Sequence, residues 1–142
     1  MREIKFRGKR VDNGMWVFGY YFEAPLTHET GECASYLCGD RRFLISQNGV
    51  TFDVLPETIG QFTGLYTKSL KEETFYGDLI GTPKGIVLEI CWSGISGQWR
   101  TRFYNTSVKG KDAGGLAERL NDGYMRVVGN IHEPEQESIV NK

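Results

Sequence analysis

The sequence predicts an all-β protein with one short helix, and three observations carry that expectation. Apolar and polar residues alternate at period two in several stretches, the mark of half-buried strands. Two Asn-Gly corners, Asn13-Gly14 and Asn48-Gly49, supply the positive-φ positions that a two-residue hairpin demands. Aromatic residues make up 13% of the chain and glycine contributes 18 residues, a balance that favours strands and turns over helices.

The first hairpin follows from the first corner. Ile4 and Phe6 alternate with Glu3, Lys5 and Arg7, and residues 15–22 form an aromatic-rich second strand. With Asn13-Gly14 as the loop, Lys9 faces Phe18 and Arg7 faces Tyr20 on the side that also holds Val11 and Trp16. Arg10 with Val17, Gly8 with Gly19, and Phe6 with Tyr21 take the other side. Pairing two glycines is weak and marks a candidate bulge. Residues 23–42, with Pro25 and the polar run at 27–32, read as a loop. The second corner sets Ile45 against Phe52 and Phe43 against Val54 on a buried face, with Leu44–Asp53 and Ser46–Thr51 opposite. Pro56 then stops the strand.

Residues 57–78 read as irregular, with Gly60, Gly64 and Gly77 as turn positions. Strands resume at Leu79-Ile80, turn at Pro83-Lys84-Gly85, and continue through Ile86, Leu88, Ile90 and Trp92 on one face. A five-residue loop at 93–97 returns the chain with Trp99, Thr101 and Phe103 on one side. The single helix is expected to start at an Asp112 cap, present Leu116 and Leu120 at i, i+4, and stop at Gly123. Residues 124–131 close as a strand.

At 142 residues the chain reads as one domain, large enough to bury roughly 68–70% of its unfolded surface without disulfides or metal. A composition shift near 56–78 separates a hairpin region, residues 1–56, from a barrel-like region, residues 57–135. The net charge of −1 supplies no global field toward nucleic acid or anionic lipid. Residues 1–11, by contrast, set Arg2, Lys5, Arg7, Lys9 and Arg10 against Glu3 alone. No apolar run reaches the ~20 residues of a membrane span, nothing reads as a signal peptide, and three cysteines suit a reducing compartment. The expectation is a cytoplasmic protein with no membrane contact.

Several words along the chain point to a lineage. Arg2-Glu3-Ile4-Lys5-Phe6-Arg7-Gly8 opens it, and Gln61-Phe62-Thr63-Gly64-Leu65-Tyr66-Thr67-Lys68 stands in the middle. Phe75-Tyr76-Gly77-Asp78-Leu79-Ile80 and Val128-Gly129-Asn130-Ile131-His132-Glu133 follow. Together they resemble the YopX-like family of small phage and prophage proteins, over roughly residues 2–20, 55–80 and 84–135. Phe18 stands where that family usually has Tyr, and Tyr76 where Glu is common. The resemblance implies a mostly β, phage-encoded protein and carries over no catalytic residue. Gly77-Asp78-Leu79-Ile80 followed by Lys84-Gly85-Ile86-Val87 is also similar to the opening strands of SH3-like barrels, which implies such a barrel in the C-terminal region.

Chemistry-bearing motifs are sparse. Cys33 and Cys38, with four residues between them, sit at the outer limit of the usual zinc pair, and His28 lies in a loop; with Cys91 they read as ordinary thiols and a surface imidazole, so no metal or cofactor is expected. There is no Gly-x-Ser-x-Gly elbow, Gly110-Lys111 lacks the frame of a phosphate loop, and Asp78 reads as a turn residue bonding its own backbone. No catalytic constellation emerges.

The basic-aromatic hairpin, with Arg7, Lys9, Arg10, Trp16, Phe18 and Tyr20, is the candidate binding site. Cations holding phosphates and rings stacking bases are what a single-strand or RNA platform needs. The same residues also arise from packing, where Arg and Lys stems cover rings. Arg41, Arg42, Arg100 and Arg102 would enlarge the patch if they fold beside it. The function expected is therefore a non-enzymatic module engaging a protein partner or a second copy of itself, with single-stranded nucleic acid or RNA as the alternative ligand.

Overall fold

Asn48 and Gly49 both take positive φ, 50° and 83°, so the corner between them is as tight as its residues allow. It joins β3 (Arg41–Gln47) to β4 (Val50–Asp53) with Ile45 opposite Phe52 and Leu44 opposite Asp53. This is the register expected from the sequence. The computed structural model describes residues 3–25 and 41–133, which divide into two compact units at residues 61 and 62. Of the loop expected at 23–42, residues 23–25 and 41–42 are strand instead, because they pair with one another across the sheet, and residues 26–40 lie outside the described residues.

In the first unit β1 (Phe6–Lys9) pairs with β2 (Trp16–Pro25), and β2 pairs onward with β3. The first hairpin differs from expectation by two residues. Arg7 stands opposite Phe18 and Lys9 opposite Trp16, because the loop holds four residues, 11–14. Only Gly14 takes positive φ there (71°). Asn13 instead accepts the Met15 N–H at 2.9 Å through its side chain, and the Arg10 N–H donates to Met15 O at 2.9 Å. A two-residue shift preserves which side chains share a face, so the facing survives although the partners change.

The ladder then closes on itself. Beyond β4, Val54 bridges Arg10, the Val11 N–H donates to Asp53 O, and the Leu55 N–H donates to Lys9 O. Inside this ring sit Val17, Ile45 and Val54, with Phe6, Tyr21, Phe43, Phe52 and Ile59 packed against them. Burying one such aliphatic side chain is worth about 1.5–3 kcal/mol. A Cβ on Gly8 would stand 3.2 Å from both Ile45 Cδ1 and Val54 Cβ, so that position is occupied by its neighbours. A 3₁₀ turn, Pro56–Thr58, leads out, and Thr58 Oγ1 accepts the Lys9 N–H at 2.9 Å.

Residues 57–78 are not irregular. They hold β5 (Gly60–Tyr66) and β6 (Glu73–Phe75). Gly60 and Gln61 pair with β1, and the rest of β5 lies in the second unit, with Phe62 opposite Phe75. Gly64, at φ 85°, sits where the β5–β6 register shifts. It bulges a strand rather than ending one. The second unit continues with β7 (Asp78–Gly81), β8 (Val87–Ser93), β9 (Gln98–Phe103), β10 (Asp112–Gly115), α1 (Leu116–Leu120) and β11 (Arg126–Asn130). Its antiparallel sheet runs β10-β9-β8-β7-β11. Ile80, Leu88, Ile90, Ala113, Leu116, Leu120 and Met125 form its core. The β8–β9 loop has four residues rather than five, because Ser93 pairs with Gln98.

The helix is shorter than expected, and its start is a strand. Gly114 adopts φ 107°, a conformation no helix contains. Asp112 spends its carboxylate on Arg100 at 2.7 and 2.6 Å instead of capping. Leu116 and Leu120 still share the buried face. Asp78 accepts the Phe75 N–H at 2.8 Å, the local backbone bond its turn position implies. Among the described residues no helix is long and apolar enough to cross a membrane.

Gly19 carries a severe steric demand, since a Cβ there would lie 2.0 Å from Ser46 O. Gly19→Ala is expected to destabilise the protein by more than about 3 kcal/mol in urea unfolding. Gly14→Ala, strained in φ but with open space around it, should cost only about 1 kcal/mol.

Candidate binding surface

Alternation along β2 sends Val17, Gly19 and Tyr21 to the core side and Trp16, Phe18, Tyr20 and Phe22 to the other. That second face is the one the sequence singles out. Arg7 and Lys9 join it from β1, with the Arg7 guanidinium carbon 4.7 Å and the Lys9 ammonium 5.4 Å from the Trp16 ring centroid. Five of the six candidate residues therefore share one face.

Their surroundings separate their roles. Arg7 is only 7% exposed, so its charge is held beneath the surface over an indole. Trp16 is half-buried beside it. Phe18, Tyr20 and Phe22 are 40%, 72% and 43% exposed, and they form a row at successive outward positions of one strand. Phe22 belongs to this row by the same period-two count that selected Tyr20, yet was not among the sequence candidates. Its signal was the alternation itself, carried one step further.

Arg10 is the exception. It lies on the core side, its guanidinium carbon 4.4 Å from the Phe52 ring centroid, and it grips Asp12 through Nε and Nη2 at 2.9 and 2.6 Å. That pairing holds the Asp12 carboxyl below its usual range. The other arginines proposed to enlarge the patch are also engaged. Arg42 makes a two-bond pair with Asp53 at 3.1 and 2.9 Å, and Arg41 lies 3.9 Å from Glu23. In the second unit Arg100 pairs with Asp112, and Arg102 donates to Glu89 at 3.0 Å.

Tyr21 donates its hydroxyl to Glu23 at 2.7 Å. Burial, and then this bond to a carboxylate, push its pKa from 10.0 up to about 12. Cys91 is a buried thiol whose pKa burial raises, which keeps it protonated and unreactive. Among the described residues no group of three or more His, Cys, Asp and Glu is placed to hold a metal. His28, Cys33 and Cys38 lie outside those residues. No family model matches this chain, and no curated protein matches it.

Sequence reasoning also passed over a second aromatic group. Trp92 and Trp99 are cross-strand partners in an edge-to-face contact, centroids 5.0 Å apart at 72°, with Tyr76 at 6.4 Å from Trp99. Placing both indoles on the core-facing side of their strands was the available signal. Trp92 nevertheless stands open to solvent.

Two measurements follow. Arg7→Ala, which strips a buried side chain from Trp16, should destabilise by about 1–3 kcal/mol in denaturant unfolding, with Lys9→Ala costing clearly less. Tyr21, with its folded pKa raised, stabilises the fold fully below pH 10 and loses that contribution as pH climbs through about 12. In a tyrosinate absorbance titration Tyr21→Phe should remove the highest-pH step.

Proposed function

We propose that this protein is a non-enzymatic binding module that engages a protein partner through the β2 row of Phe18, Tyr20 and Phe22. One observation carries the reading: three neighbouring aromatic side chains stand open on one strand face, while nearby arginines are committed to carboxylates or held under Trp16. Large rings presented together are typical anchors of protein interfaces, which are depleted of charge at their centres. Kinship with YopX-like phage and prophage proteins, and with it an SH3-like curl of the C-terminal sheet, belongs to the same proposal. In this reading the protein works in the cytoplasm of a bacterial host, and a second copy of the chain is one candidate partner.

The alternative is single-stranded nucleic acid or RNA. Its support is the stack of Arg7 and Lys9 over Trp16 beside open rings that bases could cover. Against it stands the commitment of the other hairpin cations. A nucleic-acid face needs guanidinium and ammonium groups available to phosphates.

A photocrosslinking residue replacing Tyr20 in cells is expected to give one discrete protein adduct, or a dimer of this chain. The wild-type chain should capture that partner and the Tyr20→Ser, Phe22→Ser chain should not, with stability unchanged within about 0.5 kcal/mol. In parallel, single-stranded DNA and RNA at low salt should leave fluorescence anisotropy unchanged. Micromolar, salt-sensitive binding lost on Lys9→Ala would transfer the assignment to nucleic acid.

A further inference from the structure

The second unit contains a cleft of about 310 Å³ lined by Leu65, Trp92, Gln98, Trp99, Leu116 and Glu118. Its chemistry is specific. The two indoles meet edge to face at 5.0 Å, so two π surfaces stand at a steep angle to one another. Trp99 Nε1 is buried, which leaves that ring to offer the cleft carbon surface rather than a donor. Leu65 and Leu116 supply an apolar lining.

Two acceptor oxygens converge at one end. The point where a Cβ on Gly115 would lie is 3.5 Å from both Gln98 Oε1 and Glu118 Oε1. The nearby cation, Arg100, is bound by two hydrogen bonds to Asp112 and also donates to Gln98 Oε1 at 3.3 Å. Glu118 forms no ion pair among the described residues. Arg100 also feels the Glu118 charge, but no cation sits in direct contact with that carboxylate among the described residues. Aromatic faces beside such a carboxylate favour a cation over a neutral or anionic group.

We propose that this cleft receives the cationic side chain of an arginine or lysine carried by an extended segment of a protein partner. The alkyl stem would lie along Leu65, the charged head between the indoles and Glu118. This site is separate from the β2 row. Tyr20→Ser tests the row and Glu118→Gln tests the cleft, so either reading can fail alone.

The test uses the full chain and three blocked tripeptides, Gly-Arg-Gly, Gly-Lys-Gly and a citrulline-centred control of the same shape but no charge. Titration is followed by the indole N–H resonances. Arginine or lysine peptide should shift the Trp92 and Trp99 signals and leave Trp16 in place, while the citrulline peptide binds at least roughly fivefold more weakly. Glu118→Gln, an exposed change that leaves the fold intact, should weaken the charged peptides by roughly three- to fivefold. Trp92→Ala should weaken them by roughly five- to tenfold. Equal binding of the citrulline peptide, no response to Glu118→Gln, or a response confined to Trp16 overturns the proposal.

Discussion

At Gly19 the β2 backbone passes so close to the Ser46 carbonyl that a Cβ would stand 2.0 Å from that oxygen. Immediately beyond it β2 exchanges one neighbour for another: Gly19 is opposite Phe6 of β1, and Tyr20 is opposite Ser46 of β3. Where β2 passes from pairing with one edge neighbour to pairing with the other, a residue without a side chain lets the Ser46 carbonyl approach closely. The ring of the first unit depends on this. It brings β3 and β4 around so that Val54 reaches Arg10, and it turns Ile45 and Val54 onto the space that Gly8 leaves empty.

Strand rims in both units also arrange the charges. Strands that curl tightly expose long polar side chains at their rims, where opposite charges find one another across neighbouring strands. Arg42 with Asp53 and Arg100 with Asp112 are exposed two-bond pairs between neighbouring strands, and Arg10 with Asp12 is an exposed two-bond pair at the first turn. Each contributes little stability in water. Their consequence is chemical: guanidinium groups that the sequence presents as a basic cluster are locally neutralised. Arg7 is drawn beneath the surface against Trp16.

Legibility tracked how local the determining physics was. The β3–β4 hairpin was readable because Asn48 and Gly49 fix the corner by their own φ preferences, and alternation then dictates every pair. The β1–β2 hairpin carried the same dipeptide but a different loop, since the Asn13 side chain captures the Met15 N–H. Face assignments survived that error and register did not, as a two-residue slip must leave parity unchanged. The stretch containing β5 was opaque. Gly60 and Gly64 read as turns, whereas one pairs with Arg7 and the other makes a bulge, and nothing within five residues announces a distant partner. The helix start failed for a related reason: Asp112 suits a cap, but its carboxylate is claimed by Arg100, twelve residues away in sequence. Of the candidate surface, five residues on one face were legible; the engagement of the cations was not, because ion pairs across strands have no sequence pattern.

The two aromatic groups differ in what surrounds them, and that difference determines what each can select. The β2 row has Arg10 and Arg42 nearby in carboxylate pairs and Arg7 buried against Trp16, so in the proposed reading its rings would select by shape and apolar contact more than by charge. The Trp92–Trp99 cleft has the opposite balance. Its basic neighbour Arg100 is hydrogen-bonded to Asp112 and only electrostatically coupled to Glu118, which lacks an ion pair among the described residues. Rings attract a cation weakly when water is free to compete, and more strongly where a carboxylate adds to their field and apolar walls exclude solvent. A surface of the first kind tolerates many partners of suitable contour. A cleft of the second kind discriminates by charge, because replacing a guanidinium by a neutral group of equal size removes the interaction that both indoles and Glu118 share.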